Sequence, residues 1–187
     1  MAQPISDLPV SVEEYLRLEE SSAVKHEYVA GEIYALAGAS KRHNEIAVNI
    51  ATRLAAAARG GPCRVYVSDV KLRATEEVFY YPDVMVACDP RGEDPLVEGA
   101  PCLVVEVTSL STEVTDRREK ALLYKRIPTL KAYVIVHQDR RRVERHFRDD
   151  TGSWRYADAV GEGRVSLPFP EIELTLREIY EGTDVPA

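Results

Sequence analysis

Helical spacing of hydrophobic residues occurs twice in the first third of the chain. Ser11 and Glu14 form a capping box in front of a short apolar stripe, which predicts the start of a helix. A longer helix is predicted after Ser40, because His43 and several apolar residues fall on one face at helical spacing. A Gly-Gly-Pro sequence at 60–62 ends this pattern. We therefore expect a longer second helix with a histidine on its apolar face.

Elsewhere the pattern alternates or becomes continuously apolar, which predicts strands. Ala30 and Gly31 separate two short runs and indicate a hairpin turn. A short closing helix is expected near residues 176–180. The predicted strands cover 26–29, 32–36, 64–67, 70–74, 78–87, 103–107, 132–136, 142–148 and 153–157.

The most apolar of these runs decides the fold class. Residues 103–107 read Leu-Val-Val-Glu-Val, which suits a central strand buried on both faces. A helix capped by Asp116 and Glu119 is predicted between this strand and the run at 132–136. Such a connection favours parallel strands in a right-handed crossover. We therefore predict one α/β (α+β mixed) domain with a central mixed sheet flanked by helices.

Composition fits a soluble globular protein. The 187 residues are 45% hydrophobic and 29% charged, and no apolar run is long enough for a transmembrane helix. Three cysteines, Cys63, Cys88 and Cys102, are far apart in sequence and odd in number. This pattern argues against a disulfide scaffold or a zinc knuckle and fits a reducing, cytoplasmic location.

The charge is acidic overall but unevenly distributed. The net charge is −7, which argues against a protein that coats nucleic acid non-specifically. Residues 116–148 nevertheless hold eleven Lys and Arg against four Asp and Glu, a local balance of +7. This segment could form one basic face, or it could be an ordinary solvated helix and hairpin.

Three carboxylates interrupt otherwise apolar sequence and are the first candidates for chemistry. They are Glu27 in the first strand, Asp83 after Tyr-Tyr-Pro, and Glu106 inside the continuous apolar run. A buried carboxylate must be paired, hydrogen-bonded or bound to a metal, and converging carboxylates repel one another. Oxygen ligands favour a hard ion such as Mg²⁺. The alternative is a turn residue at Asp83 and a solvent-facing or Arg-paired Glu106.

Other side chains could complete such a site. Lys120 lies on the first turns of the helix predicted after the Glu106 strand, where an ammonium could stabilise an attacking hydroxide or a phosphate. Its alternative is an exposed helix lysine. Tyr124 lies on the same face of this predicted helix as Lys120. His43 is either a partly buried histidine whose hydrogen bonds are satisfied or a neighbour of the active site. No phosphate-binding loop, nucleophile elbow or zinc-protease helix occurs.

The order and spacing of these motifs resemble a known family. The matching positions are Lys25-His26-Glu27-Tyr28 with Gly31-Glu32-Ile33-Tyr34, Ser40 with His43-Asn44, Tyr81-Pro82-Asp83-Val84, Val104-Val105-Glu106-Val107 with Ser109, Ser111 and Thr112, and Asp116 with Lys120 and Tyr124. They resemble the Uma2 family of the PD-(D/E)XK nuclease superfamily. The resemblance covers about residues 8–180 and implies one domain over 1–187 with a restriction-endonuclease-like fold.

The resemblance also implies roles for individual residues. Asp83 and Glu106 would hold Mg²⁺, for which Mn²⁺ can substitute, and Glu27 would match an acidic residue of the N-terminal part. The superfamily usually places a lysine two residues after the second acid, but this chain has Thr108 there. Lys120 would then be a migrated lysine.

Three functions follow as hypotheses. The first is a Mg²⁺-dependent endonuclease that hydrolyses DNA, with Asp83, Glu106, Lys120 and Glu27 as its catalytic residues. The second is a non-catalytic binding or assembly module with a vestigial site. The third is a metal-dependent hydrolase of a small phosphoester. By analogy with the superfamily, a homodimer is the expected assembly, and no membrane partner is expected.

Overall fold

The protein consists of thirteen strands and four helices in the part of the chain that its computed structural model describes, which is residues 4–6, 8–88, 94–108 and 119–186. None of these helices is long and apolar enough to cross a membrane. In chain order the elements are α1 (Val12–Ser21), β1 (His26–Val29), β2 (Glu32–Ala35), α2 (Lys41–Ala58), β3 (Cys63–Val67), β4 (Lys71–Thr75), β5 (Val78–Tyr80), β6 (Val84–Cys88), β7 (Val97–Glu98), β8 (Leu103–Thr108), α3 (Ala121–Tyr124), β9 (Ala132–His137), β10 (Arg142–Arg148), β11 (Trp154–Val160), β12 (Arg164–Pro168), β13 (Glu171–Thr175) and α4 (Leu176–Ile179).

A six-stranded mixed sheet forms the centre, in the order β11-β10-β9-β8-β6-β3. The β8 and β9 strands are parallel, whereas the other neighbours are antiparallel. Every residue of β8 and β9 is buried, as expected for strands covered on both faces. The predicted mixed sheet and its parallel pair are therefore confirmed.

Helix α2 covers one face of this sheet. Ser40 caps the helix by accepting a hydrogen bond from the His43 backbone N–H, and Ile46, Ile50 and Leu54 are buried in the same hydrophobic cluster as Val105. The β12–β13 hairpin and α4 contribute to this cluster from the other end of the chain. The α2 side is thus the main hydrophobic layer of the protein.

The other face is covered by α3 and by a second sheet, in the order β2-β1-β5-β4-β7. Leu72 and Tyr80 of this second sheet pack with Tyr124 of α3 and with Val104 of β8. Side chains alternate along a strand, so Val105 faces α2 while the even-numbered residues of β8 face α3 and the second sheet. Glu106 therefore lies in the layer between the two sheets.

One predicted strand is wrong in detail. The strand expected over 78–87 is two strands in different sheets, because the chain leaves β5 at Tyr81-Pro82-Asp83 and enters β6. The helix expected after the cap of Asp116 and Glu119 is confirmed over Ala121–Tyr124, while Asp116 itself lies outside the described residues. Neither the second sheet nor the β12–β13 hairpin is evident from the sequence pattern.

One disulfide corrects the expectation from the cysteine pattern. Cys63 and Cys88 are register partners on the antiparallel strands β3 and β6, and a disulfide joins them. Cys102 is a buried thiol, and its Sγ lies 3.0 Å from the Sγ of Cys88. Burial raises the pKa of the Cys102 thiol to about 11. Sequence spacing alone does not show that residues so far apart are cross-strand neighbours.

The α2 interface should dominate stability. Leu54 is completely buried, so Leu54→Ala is expected to lower the free energy of unfolding by about 2–5 kcal/mol. The matched control is Val48→Ala on the same helix, where the side chain is 48% exposed and the change should stay within about 0.5 kcal/mol. Urea denaturation measures both, and equal losses would contradict this account of the core.

Candidate active site

The two principal carboxylates lie on neighbouring strands of the central sheet. Asp83 directly precedes β6, Glu106 is in β8, and the register pairs Val84 with Val105. Asp83 and Glu106 are therefore opposite each other, one position beyond that pair. The Oδ2 of Asp83 also accepts a hydrogen bond of 2.7 Å from the backbone N–H of Val107, which fixes Asp83 against β8.

His43 holds the second oxygen of Asp83. The His43 Nε2 lies 2.7 Å from Asp83 Oδ1, and both side chains are less than one-fifth exposed. His43 is placed by the first turn of α2, where its backbone N–H donates to Ser40 Oγ at 3.1 Å. Each oxygen of Asp83 thus has its own partner, one on β8 and one on α2.

Glu106 is only 5% exposed. Its side chain accepts hydrogen bonds from Tyr124 of α3 and from Lys120, the residue directly before α3. The Tyr124 hydroxyl donates to Glu106 Oε1 at 2.8 Å, and the Lys120 Nζ lies 3.3 Å from the same oxygen. Burial and the charge of Glu106 raise the pKa of the Tyr124 phenol well above its ordinary value. The phenol therefore stays protonated at neutral pH and can donate to the carboxylate.

Lys120 connects Glu106 to the second sheet. Its Nζ donates to Glu27 Oε1 at 2.9 Å, and it lies 5.0 Å from the centre of the Tyr80 ring. Lys120 is 8% exposed, so the exposed helix lysine that the sequence left open is excluded. The structure brings Glu27, Glu106, Lys120 and Tyr124 into one buried network.

Thr108 occupies the position where the superfamily usually has lysine. Thr108 is 1% exposed, and its Oγ1 has no hydrogen-bond partner within the described residues. It shares a face of β8 with Glu106, because it lies two residues further along the strand. Lys120 brings an ammonium to Glu106 from outside β8, so a lysine at 108 is not needed for that contact.

Asp83 and Glu106 are the two residues that could hold a hard divalent cation. Glu27 is the third carboxylate nearby, and it is joined to Glu106 through the ammonium of Lys120. Among the described residues, no group of three or more His, Cys, Asp or Glu is arranged to hold a metal ion. Mg²⁺ suits this arrangement because it commonly takes one or two carboxylates and keeps several waters.

Sequence reasoning missed the support behind Glu27 and Asp83. Glu19 of α1 accepts a hydrogen bond from the Tyr81 hydroxyl at 2.7 Å and contacts the His26 ring at 2.9 Å. Sequence spacing offers one signal that Glu19 faces inward. Glu19 lies four residues after Tyr15, which is fully buried, and residues four apart share one face of a helix. A carboxylate on that face must find partners inside the protein.

Asp83 should contribute to stability as well as to any chemistry. Asp83→Ala leaves the buried N–H of Val107 without its acceptor, so we expect a loss of about 1–3 kcal/mol in the free energy of unfolding. Asp83→Asn keeps an acceptor oxygen and should lose clearly less.

The matched control for this comparison is Asp69, whose side chain is 79% exposed and pairs with Lys25. Asp69→Ala and Asp69→Asn should both stay within about 1 kcal/mol of the original protein in urea denaturation. If the Asp83→Ala and Asp83→Asn variants are equally stable, the hydrogen bond from the Val107 N–H does not contribute to the free energy of unfolding.

Two proteins of Synechocystis sp. (strain ATCC 27184 / PCC 6803 / Kazusa) are similar to this chain over most of their length. "Uncharacterized protein slr1290" is 37% identical over 175 residues, which cover 92% of this chain and 92% of that protein. "Uncharacterized protein sll1609" is 34% identical over 170 residues, which cover 89% and 93%. Both likenesses extend across the segments that carry the candidate site.

A solved structure shows the same fold. It is a crystal structure from Anabaena variabilis ATCC 29413, described as "a putative nuclease belonging to DUF820", with a TM-score of 0.77 and 15% identity over 92% of this chain and 98% of that one. The expected fold class is thereby confirmed. The family model described as "Putative restriction endonuclease" matches residues 12–177, and the chain therefore belongs to the Uma2 family.

Proposed function

We propose that this protein is a Mg²⁺-dependent endonuclease that hydrolyses phosphodiester bonds in DNA. The observation that carries the proposal is the pair Asp83 and Glu106. Asp83 directly precedes β6 and lies opposite Glu106 of β8, and the two are held by different partners. Membership of the family described as "Putative restriction endonuclease" supports the same class of reaction.

Asp83 and Glu106 would hold the ion. Each oxygen of a carboxylate has two lone pairs, so the hydrogen bonds to Asp83 do not exhaust its capacity as a ligand. Waters and a phosphate oxygen of the substrate would complete the coordination, as is common for Mg²⁺. Mn²⁺ should substitute, because it favours the same oxygen ligands.

The reaction is the attack of water on phosphorus, in which one P–O bond breaks and the departing oxygen takes a proton. When bound, the ion would acidify the water and neutralise charge on the phosphate. Lys120 would hold Glu106 and Glu27 in place and present positive charge near the phosphate. Tyr124 would keep the Glu106 carboxylate oriented through its hydrogen bond.

Basic residues near the site are the candidates for contacts with DNA phosphates, and acidic residues lie among them. A surface groove of about 550 Å³ opens at the first turn of α2, and its lining includes Lys41 and Arg42 together with Glu45 and Asp184. Arg42 is ion-paired with Asp184. The segment that joins β9 to β10 adds a run of three arginines at 140–142, each of which forms an ion pair with an Asp or Glu. Phosphate contacts of this kind would make DNA binding weaken as salt rises.

A non-catalytic binding module is the second candidate, and Thr108 is the observation that favours it. The usual lysine of the superfamily is absent from this position, and Lys120 is engaged with Glu27 as well as Glu106. This candidate requires no stabilisation of the fold by a divalent ion. A rise in melting temperature with Mg²⁺ or Mn²⁺ would count against it, because a ligand that binds the native state stabilises it.

The test combines cleavage with metal binding. Purified protein should nick or cut plasmid DNA with Mg²⁺ and lose this activity with EDTA. Asp83→Asn and Glu106→Gln should each reduce cleavage at least about a hundredfold, since each removes one charged ligand of the ion. Isothermal titration with Mn²⁺ should show binding that both substitutions abolish.

The matched control is Glu76→Gln on the turn between β4 and β5, where the side chain is 87% exposed. It should leave cleavage and Mn²⁺ binding unchanged. Cleavage that persists in Asp83→Asn or Glu106→Gln contradicts the proposal. Salt-insensitive hydrolysis of a small phosphoester without DNA binding would move the assignment to a small-molecule hydrolase.

A further inference from the structure

The segment that carries Glu27 is held from its far side by α1. The backbone N–H of His26 donates to Glu19 Oε1 at 3.0 Å, the His26 ring contacts Glu19 Oε2 at 2.9 Å, and the His26 carbonyl accepts from the Tyr15 hydroxyl at 2.8 Å. The N–H, the carbonyl and one ring nitrogen of His26 are thus all bound by α1 side chains.

These contacts replace a strand partner. Strand β1 pairs with β5 at Tyr28 and Val29, and at His26 the side chains of α1 bind the backbone N–H and carbonyl instead. Because side chains alternate along a strand, His26 and Tyr28 point toward α1 while Glu27 points into the layer between the sheets. Fixing His26 therefore fixes the direction in which Glu27 reaches Lys120.

The same Glu19 carboxylate also holds the segment that leads to Asp83. The Tyr81 hydroxyl donates to Glu19 Oε1 at 2.7 Å, and Tyr81 is only two residues before Asp83. Tyr81 is 9% exposed, and its ring lies 5.7 Å from the Nζ of Lys71. The link from α1 to the start of β6 is therefore buried.

Glu19 is buried as completely as the residues it binds. Its side chain is 3% exposed and that of His26 is 9% exposed. A carboxylate is costly to bury, and short hydrogen bonds from three donors offset that cost only in one geometry. The two oxygens of one side chain thereby set the distance between the Glu27 strand and the Asp83 segment.

We infer that Glu19 is a positioning residue for the candidate site, which joins Glu27 and Asp83 from behind. The inference rests on the proposed function for its catalytic consequence, while its structural consequence can be measured without any activity. What Glu19 supplies is the shape and reach of its carboxylate, and its negative charge is secondary.

The first experiment compares Glu19→Gln with Glu19→Asp. Gln keeps the reach, an acceptor oxygen for Tyr81 and the His26 N–H, and an amide that can donate to the ring. Asp keeps the charge but is one methylene shorter, so it cannot reach all of these partners. Glu20→Gln and Glu20→Asp on the exposed side of α1 are the matched controls for charge and helix propensity.

The measured quantity is the coupling between Glu27 and Lys120 in the unfolding equilibrium. It comes from a double-mutant cycle of Glu27→Gln and Lys120→Met, read by urea denaturation in each background. We expect Glu19→Asp to weaken the coupling between Glu27 and Lys120 by an amount equivalent to at least about a threefold change in the unfolding equilibrium constant. Residues in contact within one network are energetically coupled, so a Glu27 that is displaced from Lys120 should be coupled to it less strongly. Glu19→Gln and both Glu20 variants should leave it unchanged.

The second readout is DNA cleavage with Mg²⁺. Glu19→Asp should lower kcat at least about tenfold with KM within about twofold, because the reacting groups are displaced while the DNA-binding surface is not. Glu19→Gln should stay within about threefold of the original kcat, and Tyr81→Phe should fall between the two.

The inference is overturned if Glu19→Gln loses the coupling or if Glu19→Asp retains it. A variant that is merely less stable, with the coupling intact, would show that Glu19 only supports the fold. Absence of cleavage in the unsubstituted protein would refute the proposed function, and the coupling measurement would then decide the role of Glu19 by itself.

Discussion

The structure depends on the cost of placing one carboxylate, that of Glu106, in a strand buried on both faces. All six residues of β8 are buried, and the other residues of its centre are valines. An ionised carboxylate in such surroundings is stable only when donors or cations are supplied to it. Tyr124 and Lys120 supply them, and because they are four residues apart they lie on one side of the α3 region.

This requirement also explains why the second sheet meets the central sheet at this point. Lys120 is shared with Glu27, so β1 is joined to β8 through a single ammonium. Glu27 is in turn directed by the contacts between His26 and α1. The polar network therefore crosses from α1 through β1 to β8, in a layer that is otherwise filled by aromatic and aliphatic side chains such as Tyr80 and Tyr133.

The parts of this fold that could be predicted from sequence are those with a local cause. The cap at Ser40, the hairpin at Ala30 and Gly31, and the continuous apolar run of β8 each follow from neighbouring residues and are confirmed. The division of residues 78–87 between two sheets could not be predicted, because it depends on which strands β5 and β6 pair with. The Cys63–Cys88 disulfide was hidden for the same reason, since it requires the register of β3 with β6.

The same distinction applies to the candidate site. Asp83, Glu106 and Glu27 interrupt apolar sequence, so the local pattern was enough to select them. Lys120 was selected by its place on the helix predicted after the Glu106 strand. The partner of each one is non-local. Asp83 is bound by the N–H of Val107, and the strand of Glu27 is bound by the Glu19 carboxylate. The sequence around Asp83 and Glu27 does not predict either contact.

The replacement of the expected lysine by Thr108 changes how the ammonium is held. A lysine at position 108 would be fixed by β8 itself, with its place set by the pairing of that strand. Lys120 instead approaches from the helical residue directly before α3 and is fixed by its contacts with Glu106, Glu27 and the Tyr80 ring. Its position therefore depends on the second sheet, and accuracy at the site requires that Glu27 be held firmly. A rigid attachment of β1 to α1 is what such an arrangement needs, and His26, Tyr15 and Glu19 provide it.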